Sequence, residues 1–383
     1  MREVTPPRIS RRALLLSSVA ALGCGRKKAT GYPGYCFVAN RGSRSVTAVD
    51  LSTFRVRKQI PVDAPPSAML AGPASEKPKV YALAPNAGAV YEIDVASLTV
   101  SRKAWGGSQA VAMRLAPQGD ALWALYREPA ALVQIPLGSF RPSRRISLPA
   151  PPDGFDLSGD GRAAIVSRKG RSISIVSLSH GVIERAIASA DEPSLVQFRS
   201  DSQLLMAACP PDRNLAIYDV ATGKTVVRLP LPLAPRHFCV TPDGGQLFVT
   251  GDGMDAVVIV FPYSTEIDQT VLAGHAPGAM AVTETSEPYL LVANPESGSV
   301  TALDVDTRML VAVVQVGQTP GAILLTPDRQ YALAIDEQSG DLAVIRLSTF
   351  SEPWVHRYKS APLFTAVQVG DHPAGAVVVA YRG

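Results

Sequence analysis

The chain has 383 residues, 46% of them hydrophobic and only 18% charged, a composition that suits closely packed sheets. Its formal charge of +4 is terminal: residues 1–23 contribute +3 and Arg26, Lys27 and Lys28 another +3, so the remainder is near −2. Aromatics are sparse and no basic stripe interleaves with them, which excludes nucleic acid as the partner.

At the amino terminus, Arg2, Arg8, Arg11 and Arg12 precede an apolar run from Ala13 to Leu22, followed by Gly23-Cys24-Gly25. A charged head, a run of about ten apolar residues and a small-residue end make an export signal, and the run is too short to span a bilayer. Ser10-Arg11-Arg12-Ala13-Leu14-Leu15 resembles a twin-arginine signal, which implies export of a folded protein. Ala21-Leu22-Gly23-Cys24 resembles a bacterial lipobox, with Ala21 and Leu22 interchanged relative to the usual order. The resemblance implies that residues 1–24 are a signal ending in an acylated Cys24, which tethers a periplasmic or cell-envelope protein to a membrane. The alternative is ordinary cleavage that releases a soluble protein. Residues 25–34 (GRKKATGYPG) read as a polar tether, and residues 35–383 as one domain.

Within that domain one apolar marker recurs at Val46, Val90, Leu132, Ile173, Leu215, Val257, Val300 and Leu342, at spacings of 41 to 44 residues. Its surroundings echo one another: SVTAVDL, AVYEIDV, ALVQIPL, SISIVSL, NLAIYDV, AVVIVFP, SVTALDV, DLAVIRL. The clearest unit, Pro277–Gly317, reads as four short strands: Gly278–Val282, Tyr289–Ala293, Val300–Leu303 and Val311–Val316. Four strands per period of about 42 residues predict an all-β chain, a β-propeller of four-stranded antiparallel blades. The count is eight, with seven as the alternative if the unit around Leu132 is a loop insertion. A second marker opens each innermost strand: Pro66, Gln109, Pro152, Pro193, Pro235, Pro277, Pro320 and Pro373. Val46 has no opening strand before it, and Ala374–Ala380 has no third strand after it. The two chain ends are therefore expected to share a blade and close the ring. The last unit is about ten residues longer than its peers and holds Trp354, His356, Arg357 and Tyr358 in a predicted loop or hairpin extension.

These units resemble the YVTN-type β-propeller repeats of exported bacterial and archaeal proteins. Tyr35–Leu51 (YCFVANRGSRSVTAVDL), Pro242–Val260 and Tyr289–Val305 carry the likeness, with Val292-Ala293-Asn294 standing for V-T-N. The Pro-Asp-Gly turn survives in Thr241-Pro242-Asp243-Gly244 and Thr326-Pro327-Asp328, and as Ser158-Gly159-Asp160-Gly161. Asp in such a turn bonds its own backbone and Gly takes positive φ, so the motif speaks for fold and is nearly silent on activity.

Function is sought in the loops expected on one face: those joining blades, and those between second and third strands. The first set is expected to hold His237, His275 and His372, with Asp153, Asp191 and Asp371; these histidines, with Arg114 from an inner strand, are the funnel candidates. The second set runs basic at Arg41, Arg44, Arg127, Arg168, Lys169, Arg171 and Arg213, then acidic at Asp252, Asp255, Glu296, Asp336, Glu337 and Asp341. That split predicts a dipolar face that orients a charged partner, with Arg168, Lys169, Arg171, Arg41, Arg44, Asp336 and Glu337 as binding residues. Solvated rim charges without a partner are the plainer reading. Cys36, Cys209 and Cys239 lie in apolar stretches and are expected to be buried thiols, with a Cys209–Cys239 disulfide as the alternative. No G-x-S-x-G, C-x-x-C-H or Cys/His metal spacing occurs, and no metal or cofactor is expected. The expectation is a monomeric, non-catalytic propeller that binds a protein partner or ligand; the alternative is a lactonase-like hydrolase or haem-type enzyme with its site in the funnel.

Overall fold

The computed structural model describes residues 31–351 and 361–381. The signal, Cys24, Trp354, His356, Arg357 and Tyr358 lie outside them. Eight four-stranded antiparallel sheets follow one another around a ring. Blade 1 is built from both chain ends: Gly34–Asn40, Ser45–Asp50 and Arg55–Pro61 supply its second, third and outer strands, and Pro373–Ala380 its innermost. Gly34–Asn40 pairs along its whole length with Pro373–Ala380, so the ring closes by hydrogen bonds as expected. Blades 2 to 8 occupy residues 68–105, 108–147, 154–188, 195–230, 234–272, 280–315 and 320–368. The unit around Leu132 is a full blade, which settles the count at eight. The domain starts slightly earlier than expected, because Tyr32 is buried and Gly34 already belongs to a strand.

Second and third strands are apolar at nearly every position rather than at alternate ones, because both of their faces are covered. In Lys79–Ala84 of blade 2, Val80, Ala82 and Ala84 pack towards blade 1, while Tyr81 and Leu83 pack towards blade 3. Outer strands cover only their neighbour's edge and stay largely exposed, as in Arg55–Pro61. The core is thus a set of seams between stacked sheets.

Two local devices fix the repeat. In the turn after the innermost strand of blade 6, Thr241 Oγ1 donates to Asp243 Oδ1 at 2.5 Å, Gln246 N donates to Thr241 Oγ1 at 3.0 Å, and Gly244 sits at φ +72°. At the other end of the blade, the Asn of Val-Ala-Asn is fully buried. Asn40 Nδ2 donates to Ser45 Oγ, Thr47 Oγ1 and the Val369 carbonyl, at 3.2, 2.9 and 3.3 Å. Asn294 repeats this with Ser299 and Thr301, whose hydroxyl reaches the Ala273 carbonyl at 3.1 Å. One amide therefore ties two strands to the chain entering that blade through its Nδ2, while its own Oδ1 is left without a donor.

Candidate functional site

The two loop sets meet on one face. His275, between blades 6 and 7, contacts Asp255 Oδ2 through Nδ1 at 2.9 Å and Glu296 Oε2 through Nε2 at 2.8 Å. Asp255 belongs to the second-to-third loop of blade 6 and Glu296 to that of blade 7. The Asp255 hydrogen bond, then the charges of both carboxylates, hold the imidazole above its ordinary pKa, and the trio borders a cavity of about 490 Å³. Arg41 pairs with Glu337 across the blade 8 to blade 1 seam, and His372 Nδ1 lies 4.0 Å from the same Glu337. Arg44, with φ +47°, ends the exposed turn that holds Arg41.

The basic arc is less one-sided than the second-to-third loops alone suggest, because the inter-blade loops feed carboxylates into it. Glu192 takes Arg171 Nη2 at 3.2 Å and Arg168 Nη2 at 3.9 Å. Asp153 takes Arg127 Nη2 at 3.1 Å and the Arg168 backbone N–H at 2.8 Å. Two carboxylates thus stand among four cations, counting Lys169, and the surplus is positive. Pro151, Asp153, Arg168, Lys169, Arg171 and Glu192 line an open cavity of about 290 Å³. Its floor is one tight turn, with Arg171 at φ +43°.

Arg127 and Asp252 sit at exposed strand ends rather than in the loops, and two expected loop charges are buried on strands. Asp336 ends the second strand of blade 8 (Tyr331–Asp336), faces Asp341 across the pair, and is 0% exposed. It stands where Asn40 and Asn294 stand in blades 1 and 7, and Asp341, also buried, stands where Ser45 and Ser299 stand. Neither is a solvated loop charge. Asp336 Oδ2 accepts from Gly317 N at 2.9 Å. Each Oδ1 has no donor while both carboxyls are ionised; a proton held between the two supplies one. Desolvation, then the bond to Asp341, pushes the Asp336 carboxyl up to about 8. The alignment of Ala334-Ile335-Asp336 with Val-Ala-Asn was the signal that could have revealed this.

His237 is likewise on a strand, the innermost of blade 6 (Ala234–Val240), where a bulge after Pro235 turns it out. It touches water yet is hemmed in by protein, and desolvation pulls its imidazole below the ordinary pKa. Arg114 lies exposed on the inner strand of blade 3 (Ser108–Leu115), its guanidinium 5.9 Å from the Phe155 ring centre. Beside it on blade 4, Asp156 is raised by desolvation and accepts from Phe198 N at 2.9 Å. Sequence reasoning passed over Asp156. The structure does not gather His237, His275 and His372 into one site. Among the described residues, no group of three His, Cys, Asp or Glu is arranged to hold a metal ion. Cys36, Cys209 and Cys239 are free thiols, which removes the disulfide alternative.

No family model matches the chain. A seven-bladed beta-propeller protein of Mycobacterium tuberculosis is 25% identical over 143 residues, a match covering 36% of this chain and 36% of that relative. The chain therefore spans about a third of the length of the curated relative it matches. Among solved structures, dihydro-heme d1 dehydrogenase NirN in complex with DHE aligns at TM-score 0.70 and 14% identity, covering 90% of this chain and 75% of that one. Hydrazine synthase of Kuenenia stuttgartiensis aligns at TM-score 0.60 and 19% identity, over 75% of this chain and 97% of that one. A functionally unknown protein from Desulfotomaculum acetoxidans aligns at TM-score 0.61 and 12% identity, over 91% and 100%. What these share with the chain is the β-propeller fold.

Proposed function

We propose that this chain is an exported, lipid-tethered propeller of the YVTN type that does no chemistry of its own and binds an acidic partner through its loop face. One observation carries the reading: the cavity over the Arg168-Lys169-Gly170-Arg171 turn, where cations outnumber carboxylates and stand ready to meet an anionic group. Glu192 holds two of the arginines in place, so part of the ordering that binding demands is already done. Propellers commonly present ligands and partners at such a face.

The test uses a fluorescent oligoglutamate peptide and fluorescence anisotropy. Changing Arg168, Lys169 and Arg171 to Ser should leave the melting temperature almost unchanged, since surface charges contribute little to folding. It should weaken peptide binding roughly tenfold at low salt, with the difference shrinking as salt shortens the Debye length to ~8 Å. Glu337→Ser is the control that should act in the opposite sense; buried Asp336 cannot serve as one. Equal binding by the triple variant and its parent would remove this reading.

A funnel site for a cofactor or hydrolysis is the second reading, and His237 favours it. Its imidazole is kept neutral yet water-accessible on an inner strand, and a structure that shares the fold is described in complex with DHE. Haemin added to purified protein, giving a Soret shift that His237→Ala abolishes, would bring this reading forward.

A further inference from the structure

The seam between blades 7 and 8 uses the same backbone scaffold as the closing seam between blades 8 and 1, but with different side chains. At the closing seam Arg41 N donates to the His372 carbonyl at 3.0 Å, Gly42 N to the Asp371 carbonyl at 2.9 Å, and Asp371 N to Ser43 Oγ at 3.4 Å. Between blades 7 and 8, Glu337 N donates to the Thr319 carbonyl at 3.0 Å, Gln338 N to the Gln318 carbonyl at 3.1 Å, and Gln318 N to Ser339 Oγ at 2.9 Å. The rung that sets Gly42 against Asp371 therefore sets Gln338 against Gln318. Two carboxamides stand as neighbours where the closing seam has a bare backbone and a carboxylate.

Gln318 and Gln338 border an open cavity of about 780 Å³, larger than the 290 Å³ and 490 Å³ cavities already described. That volume falls in the ~300–1,000 Å³ range of small-molecule sites. A third carboxamide, Gln315 at the end of Leu310–Gln315, lines it too. All three are exposed, and none of their side-chain amides is hydrogen-bonded to another described residue. Gly298 and Gly317 also line the cavity, and neither position admits a side chain: a Cβ on Gly317 would collide with Ser339 Oγ, and one on Gly298 would lie 2.9 Å from the Gly317 carbonyl oxygen. Glu296 is the one charged residue of the lining, and its carboxylate is held by His275 Nε2 at 2.8 Å.

We infer that this cavity is a binding site for an uncharged saccharide. A carboxamide offers an acceptor oxygen and two donor hydrogens, and a sugar hydroxyl both donates and accepts, so adjacent carboxamides match adjacent hydroxyls. An anion finds no cation in the lining, and a cation finds Glu296 already taken by His275. A nucleobase finds no ring to stack on, because the lining holds no aromatic residue. Pro295 and Val316 give a small apolar wall, enough for the C–H face of a sugar ring but not an anchor pocket for a peptide side chain. The main-chain bonds between the two loops fix where Gln318 and Gln338 start, yet three long side chains must still be ordered, so the dissociation constant is on the order of 1 mM. This cavity shares no residue with the one over the Arg168–Arg171 turn, so it stands or falls independently of the acidic partner proposed above.

The test is saturation-transfer NMR with maltotriose, cellotriose and chitotriose, each titrated into the millimolar range, and with an uncharged Ser-Gly peptide blocked at both ends. At least one trisaccharide should bind, equally well at low and high salt, because neutral hydrogen bonds are not screened. Gln318→Ala and Gln338→Ala should each weaken that binding about fivefold, the loss of one net hydrogen bond, without moving the melting temperature. Neither should change oligoglutamate binding, and the variant with Ser at 168, 169 and 171 should bind the sugar as the parent does. Silence from all three trisaccharides overturns the proposal. So does sugar binding indifferent to both glutamine changes, sugar binding lost in the triple variant, or a glutamine-dependent preference for the blocked peptide.

Discussion

Replacing Asp336 by Asn and Asp341 by Ser would rebuild in blade 8 the arrangement that Asn40 and Ser45 make in blade 1, and it should flatten the pH dependence of stability. The parent's Asp336 carboxyl, pushed up to about 8 by burial and by Asp341, keeps a proton that the unfolded chain releases near its ordinary value of 3.8. Between those values the folded state binds the extra proton, so stability falls as pH rises, by about 1.4 kcal/mol per pH unit, and levels off above the folded pKa. For a propeller spanning Tyr32–Gly383, an unfolding entropy of ~2.1 cal/mol/K per residue amounts to roughly 0.7 kcal/mol/K. The parent should therefore lose about 2 °C of Tm per pH unit, or about 5 °C from pH 5 to pH 8 where the carboxyl is half-titrated, beyond whatever the variant loses. Scanning calorimetry of both proteins across that range isolates the pair, since His275 and every other titrating group is common to both. Parallel Tm-versus-pH curves would show that no proton is held at this seam.

Deleting residues 373–383 strips the innermost strand from blade 1 and unpairs the edge of Gly34–Asn40. The loss should exceed the ~10 kcal/mol typical of a whole domain, so cooperative melting should vanish and the protein should precipitate. Arg102→Ala leaves Glu92, 2% exposed, without the guanidinium it pairs with and should cost about 3 kcal/mol by urea denaturation. Arg102→Met with Glu92→Leu should recover much of that, because the unpaired buried charge is gone. Burial pushes the Cys36 and Cys209 thiols up to about 12 and Cys239 to about 11. In a chain starting at residue 25, none of the three should react with an aromatic disulfide reagent at pH 8 until urea is added. Cys24→Ala should yield an unprocessed or soluble protein; a variant that stays with membranes through a carbonate wash would count against acylation.

Strands, period, blade count and closure were legible because each blade is a local object. Its strands are consecutive, its turns carry Asp and Gly, and its middle strands are apolar on both faces. Pro277–Gly317 alone was enough to draw a blade to within two or three residues. The loop charges were legible as residues but not as a field. Arg171 finds its partner in Glu192 and Arg41 in Glu337, nearly three hundred positions away, so reading the second-to-third loops alone exaggerated the separation of charge. Asp336 misled for another reason: an acidic residue beside Glu337 looks solvated. Only comparison with Asn40 at the same place in the repeat shows a carboxyl doing the work of an amide. His237 shows the same limit, since a bulge after Pro235 decides which way it faces.

The shared blade also sets a clock. Gly34–Asn40 is the first strand of the domain to leave the ribosome, and its partner Pro373–Ala380 is the domain's last. At roughly 10 residues per second the interval is about half a minute. Throughout it seven blades can stack while the first presents Phe37 and a bare strand edge to whatever is nearby. Completion therefore waits for the last strand of the domain. A chain that stalls or is truncated late fails as thoroughly as one that fails early, and a holdase that covers Gly34–Asn40 would act on every copy made.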